Sequence, residues 1–195
     1  MKAMADPARC PWVPPGDELY VDYHDTEWGV PNHDDHAHFE KISLEGAQAG
    51  LSWRTILARR DGYRRLFAGF DPAVVATFGP DEVERFVQDT SIIRNRAKIE
   101  SVLSNAHAFL GVQEEFGTFD AYIWGWVDGA PIVTRPETIG DYPATTPLST
   151  QISKDLKKRG FRFVGPTTVY AYLQSFGLVN DHTVDCFRFA ELTGG

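Results

Sequence analysis

The sequence predicts an all-α protein, a compact helical bundle, on three observations. Apolar residues recur at three- and four-residue spacing almost throughout the 195 residues, long alternating strand patterns are missing, and Pro or Gly stands where helices would begin or end. Asp71 followed by Pro72 reads as a cap and first turn, with Val74, Val75 and Phe78 behind it. Gly79-Pro80 opens another short helix carrying Val83, Phe86 and Val87. Ile99, Val102, Leu103, Ala106, Phe109 and Leu110 mark the clearest amphipathic helix, and Phe119, Tyr122, Ile123, Trp126 and Val127 mark the next. The run Pro131 to Pro147, rich in Pro, Thr and Gly, is the one long connection.

Ile152 to Phe176 carries a more specific pattern. A helix ends at Lys157-Lys158-Arg159-Gly160, a short turn Phe161 to Val164 follows, and Gly165-Pro166 begins the next helix, giving a helix-hairpin-helix over residues 150–177. Glycines at both ends of the turn permit positive φ and close approach of another backbone. The free amides that open the second helix, as far as Thr167, point where a phosphate can sit. Such a device grips DNA without reading its sequence. An ordinary αα-hairpin with a glycine C-cap has the same local pattern.

With 43% hydrophobic and 13% aromatic residues, the chain holds enough apolar material for one well-buried core, and a single domain over 1–195 is expected. Met1 to Arg9 has no apolar run behind its charges, and no segment approaches the roughly 20 apolar residues that span a membrane. The expectation is a soluble, cytoplasmic monomer with no membrane partner. A net charge of −8 excludes nucleic-acid binding by bulk electrostatics, because phosphate neutralisation needs local cations. Any DNA site must be a patch, and there are two: Arg94, Arg96 and Lys98, then Lys157, Lys158, Arg159 and Arg162. Solvated helix faces give the same clusters, so charge alone decides nothing.

The two cysteines, Cys10 and Cys186, lie at opposite ends of the chain, where a reducing cytosol disfavours a disulfide and a metal is the better candidate. His182 and Cys186 are four residues apart and share one face if that stretch is helical. Cys10 and His24 complete a tetrahedral Cys2His2 set that joins the chain ends, with His33, His36 and His38 as substitutes for His24. The alternative is two small buried thiols without a metal.

The N-terminal third concentrates aromatic and acidic residues in two blocks, Tyr20 to Pro31 and Leu44 to Trp53. These blocks resemble the 3-methyladenine DNA glycosylase I (Tag) family of the helix-hairpin-helix superfamily. The likeness extends to Ile92-Ile93-Arg94-Asn95-Arg96-Ala97-Lys98-Ile99, to Leu156 to Gly165, and to Gly177 to His182 followed by Cys186. It runs in order from Cys10 to Arg188. The resemblance implies a structural zinc on Cys10, His24, His182 and Cys186, and a catalytic pocket of Glu45, Tyr23 and Trp53 that receives an everted base, with Trp12 and Trp28 packed beneath it. It implies release of 3-methyladenine from alkylated double-stranded DNA, leaving an abasic site with no lyase step. Pro14 to Glu18 is slightly longer than the family's usual connection, a departure that leaves the ligands in place.

The chemistry fits these residue types. Methylation at N3 leaves adenine cationic, so its bond to deoxyribose is weakened and the leaving group needs no strong acid. Aromatic faces attract a cationic base by roughly 0.5–2 kcal/mol. Glu45 can accept from the adenine amino edge, and a cationic ligand offsets the cost of burying its charge. Gln48, Gly50 and Leu51 stand where they can fill the space left by the extracted nucleotide, whose eversion costs a few kcal/mol. Asp181, beside a zinc ligand, is poorly suited to serve as the aspartate that related glycosylases use. Two rivals are a lesion-binding protein without chemistry and a zinc hydrolase, the latter needing an open metal position.

Overall fold

The computed structural model describes residues 6–194; the first five residues of the Met1–Arg9 stretch, and Gly195, lie outside it. The chain begins with α1 (Glu18–Thr26) and α2 (Asp35–Gln48). Both start at an aspartate: Asp17 accepts from the amide of Tyr20, and Asp34 from that of Ala37, each cap contributing about 1 kcal/mol. Ser52 does the same for α3 (Trp53–Leu57), and α4 (Arg60–Leu66) follows directly.

The Asp71-Pro72 and Gly79-Pro80 signals open α5 (Pro72–Val75) and α6 (Pro80–Phe86), as their sequence predicts. The long stripe lies on α7 (Arg96–Phe116), which runs past its last apolar residue until Gly117 adopts φ +88°. The next helix, α8 (Phe119–Trp124), is shorter than its stripe. From Gly125 a 3-10 turn takes over, and Asp128 and Gly129 at positive φ end it.

The long connection is structured. It holds β1 (Ile132–Val133) and a 3-10 turn Ile139–Asp141, and Pro147 is the first residue of α9 (Pro147–Lys158) rather than the end of the loop. Then come α10 (Pro166–Ser175), β2 (Val179–Asn180) and α11 (Phe187–Thr193). The parallel pairing of Ile132 with Val179 and Val133 with Asn180 is the one sheet among the described residues. Two-residue strands have no alternation for a sequence to display.

Burial centres on α2 and α7. Phe39 of α2 meets Phe109 of α7 at 5.2 Å, and Phe109 stacks on Phe119 of α8 at 4.3 Å. All three are fully buried, each stabilising the fold by roughly 1.5–3 kcal/mol. α2 thus packs on α3, α7, α8 and α10 at once, which makes it the rigid support of anything it carries. No helix among the described residues is long and apolar enough to cross a membrane.

Helices α9 and α10 pack on each other through the turn 159–165. Gly160 has φ +99°, but the second positive φ belongs to Phe163, at +56°, and not to Gly165, which stays extended as the cap of α10. Open space above Gly165 still leaves its backbone approachable. Asn105 of α7 brackets Arg162 on both backbone groups, at 2.7 and 3.0 Å, and Ser153 donates to the Val164 carbonyl. The hairpin is therefore part of the core.

Candidate functional site

An aromatic cleft lies where α1, α2, α3 and α10 converge, with a volume of about 270 Å³. That is the small end of ligand pockets and suits a single planar group. Tyr23 of α1 and Trp53, the first residue of α3, form one side, their rings 5.4 Å apart. Trp12 and Trp28 form another, 4.9 Å apart edge to face, with Tyr20 against Trp12. Glu45 and Gln48 enter from α2, Ala171 and Gln174 from α10. Ile139, Tyr142 and Pro143 of the connection close the rim, and these residues, with Gln174, carry no local signal that marks them in sequence.

Glu45 is 5% exposed, and burial pushes its carboxyl up to about 7, against the opposing pull of Lys41 and the Ser175 hydroxyl. Among the described residues no cation lies within salt-bridge distance of it. The indole N–H groups of Trp12 and Trp53 are buried without an acceptor among the described residues. Such donors cost about 1–3 kcal/mol each when unpaired. The cleft therefore combines a buried acid with aromatic faces, a set suited to a planar cation. Sequence reasoning passed over Lys41, buried one turn before Glu45, whose ammonium donates to the Tyr23 hydroxyl at 3.3 Å.

Cys10, His24, His182 and Cys186 come together from both chain ends, all buried, with their donor atoms within 4.8 Å of one another. Cys10 Sγ is 3.3 Å from His182 Nδ1, and Cys186 Sγ is 3.4 and 3.5 Å from His24 Nε2 and His182 Nδ1. A tetrahedron with usual zinc–sulfur and zinc–nitrogen bonds has edges of roughly 3.5 Å between those atoms, so the residues fit a closed metal site. The other ring nitrogens are engaged: His24 Nδ1 by Asp25 at 2.7 Å, His182 Nε2 by the Trp28 carbonyl at 3.0 Å. The facing Cys10 thiol, with the two imidazoles, pulls Cys186 toward its thiolate against the opposing effect of burial.

The spacing of His182 and Cys186 works through a turn, not a helix. Cys186 N donates to Thr183 O and is the cap of α11, because that helix starts only after it. The longer Pro14–Glu18 stretch is absorbed in an exposed turn that ends at the α1 cap, leaving Cys10 and His24 together. His33, His36 and His38 lie elsewhere: His33 and His38 bind Asp120, and His38 also meets the Tyr172 hydroxyl. Asp181 is buried and accepts from Tyr170, Gln174 and Thr134, so both its oxygens are already engaged.

A second groove continues from Glu45 and Gln48 between the α2–α3 turn, Ala49 to Leu51, and the start of α10, Thr167, Thr168 and Ala171. Gly50 has φ +76° and Leu51 is 39% exposed at the tip. Lys158, Arg162 and Thr167 are exposed beside the hairpin that contains Gly160 and Gly165. Three members of the two basic clusters are committed elsewhere. Arg159 pairs with Glu115 and Asp155, and Arg96 with Glu84. Lys98, expected at a DNA surface, is 8% exposed and donates to the Ala47 and Ala49 carbonyls at 2.8 and 2.6 Å. It caps the orphan carbonyls of α2 and so shapes the turn that Gly50 and Leu51 occupy. Arg94 remains exposed.

The profile of the methyladenine glycosylase family matches residues 12–189. The chain is 49% identical over 178 residues to DNA-3-methyladenine glycosylase 1 of Escherichia coli (strain K12), covering 91% of this chain and 95% of that protein. It matches a crystal structure of 3-methyladenine DNA glycosylase I with a TM-score of 0.88 at 49% identity, over 92% of this chain and 98% of that one. A structure of the Staphylococcus aureus 3-methyladenine DNA glycosylase I, described as the basis of 3-methyladenine recognition, matches with a TM-score of 0.87 at 36% identity, over 88% of this chain and 92% of that one.

Proposed function

Since the chain belongs to the methyladenine glycosylase family, we propose that its aromatic cleft receives 3-methyladenine everted from alkylated double-stranded DNA and releases it by hydrolysis. The observation that carries this reading is Glu45, a carboxylate buried in an aromatic cup with no cation within salt-bridge distance among the described residues. A cationic base brings its charge into contact with the carboxylate, stacks on Tyr23 and Trp53, and offers its amino edge to Glu45. The N-glycosidic bond then breaks with its electron pair going to the base, which leaves neutral. Water adds to C1′ of the sugar and gives up its proton to solvent, leaving an abasic site and free 3-methyladenine. Glu45, Tyr23 and Trp53 are the residues in contact with the reacting base, and Trp12 and Trp28 complete its enclosure.

Leu51, Gly50 and Gln48 stand at the tip beside the cleft and fill the vacated stack. Gly160, Gly165 and Thr167 hold a backbone phosphate, with Lys158, Arg162 and Arg94 as the free cations around them. Cys10, His24, His182 and Cys186 hold zinc. The ion cross-links the chain ends, and four protein donors leave it no open position for hydrolytic chemistry. The enzyme acts as a single domain and a monomer. Incubation with methylated duplex DNA, followed by chromatography of the supernatant, tests the reading. Free 3-methyladenine with intact, abasic strands is expected; tight binding without base release is the signature of a lesion-binding protein instead.

A further inference from the structure

Lys41 is 7% exposed, and its ammonium lies 4.7 Å from the centre of the Tyr23 ring and 5.0 Å from that of Trp53. It sits on α2 one turn before Glu45, a spacing that puts both on one face of that helix. The charges around the pair are otherwise spoken for. From α1 and α4, Glu27 binds Arg60 through both oxygens at 2.6 and 2.7 Å. On α2 itself, Glu40 is held by Arg64. The α10 side offers only the neutral Ser175 hydroxyl, and α1 the neutral Tyr23. Among the described residues of this cluster, Lys41 and Glu45 are thus the two buried charges with no ion-pair partner of their own.

We propose that Lys41 is a positioning residue of this active site: it supplies the counter-charge that keeps the Glu45 carboxylate ionised and fixes the Tyr23 ring from behind. The inference rests on reading the cleft as the base pocket and adds to it a resident cation on the far side of the rings. Burial lowers the Lys41 ammonium from its ordinary range while Glu45 and Glu27 raise it, as expected of a charge retained for a neighbour. Its cost is repulsion. A cationic base stacking on Tyr23 and Trp53 meets a second cation across the same rings, so Lys41 exchanges some attraction for a carboxylate that is ready to accept.

The two effects separate by pH. Excision by Lys41→Met should lose activity most on the acidic side, with the acidic limb of kcat/KM displaced upward by about one unit, a tenfold deficit at pH 6 that closes as the pH rises. Lys41→Arg, which keeps the charge, should leave the limb near its original position. If Lys41→Met does not fold, Lys41→Gln is read the same way. A uniform loss at every pH, or an unmoved limb in both neutral variants, overturns the proposal. The control is Glu45→Gln: if it excises 3-methyladenine as well as the unaltered protein, the reading of the cleft fails, whereas an unmoved limb with an inactive Glu45→Gln removes only the role of Lys41.

Discussion

His182 Nε2 lies 3.0 Å from the carbonyl oxygen of Trp28, so the histidine that faces Cys10 and Cys186 through Nδ1 also fastens one wall of the aromatic cleft. The Trp28 and His182 rings stand edge to face at 4.6 Å. The Cys/His cluster and the cleft are therefore mechanically one unit, and damage to one is transmitted to the other.

Cys186→Ser should lose metal and stability together, since thiolate donation and the cross-link between the ends go at once. A cost of about 3 kcal/mol would lower the melting temperature by roughly 6–12 °C in a chain of this size. Elemental analysis that finds no zinc in well-folded unaltered protein would sink the zinc assignment.

Gly29→Ala should be damaging out of proportion to one methyl group. Gly29 has φ +77°, and a Cβ there would lie 2.7 Å from His182 Nε2. Strain and displacement of the imidazole together should cost about 2–4 kcal/mol and reduce metal occupancy. Normal melting and metal content in this variant would contradict the close approach.

Glu45→Gln should lower excision about ten- to a hundredfold, the worth of a charged hydrogen bond, while affinity for abasic DNA is largely kept. Its effect on stability has the opposite sign. Burial raises the Glu45 carboxyl from its ordinary value near 4.5 to about 7. The folded protein then holds this proton more tightly than the unfolded chain, so ionisation destabilises the fold progressively as pH rises between those values and fully above them. Denaturant titration should find Glu45→Gln more stable than the unaltered protein at pH 8, by up to roughly 3 kcal/mol, with the advantage gone near pH 4. A loss of stability at pH 8 would be incompatible with the buried charge.

Reversing Lys158 and Arg162 to glutamate should weaken binding to duplex DNA and flatten its dependence on salt by about two units of slope, one for each phosphate contact removed. The same reversal at Arg159, already neutralised by Glu115 and Asp155, should do less. Equal effects at all three positions would mean that the hairpin is not the docking site.

The caps at Asp71 and Gly79, the stripe of α7 and the turn after Lys158 were legible in the sequence because each is set by neighbours within a few residues. The clustering of Cys10, His24, His182 and Cys186 was legible for a different reason: two cysteines at opposite ends of a long chain leave few ways to pair, and the likeness of the surrounding blocks singled out His24 from the other histidines. What stayed hidden depends on which way a side chain turns in the folded protein. Arg94, Arg96 and Lys98 look alike as a string, yet one is exposed, one is paired with Glu84 and one is buried against α2. Lys41 is indistinguishable from a surface lysine until α1 and α3 are packed over it. The rim at Ile139 and Tyr142 comes from a connection whose path is set by its pairing with β2, nearly fifty residues on.

The contact between Cys10 and His182 spans 172 positions of the chain. During synthesis from the N-terminus, the helices that carry Glu45 and Trp53 emerge early, but the residues that brace Trp28 and pair with the rim emerge almost last. A nascent chain halted before His182 has most of its aromatic residues and no anchored cleft. Assembly of the whole cleft therefore waits for nearly complete translation.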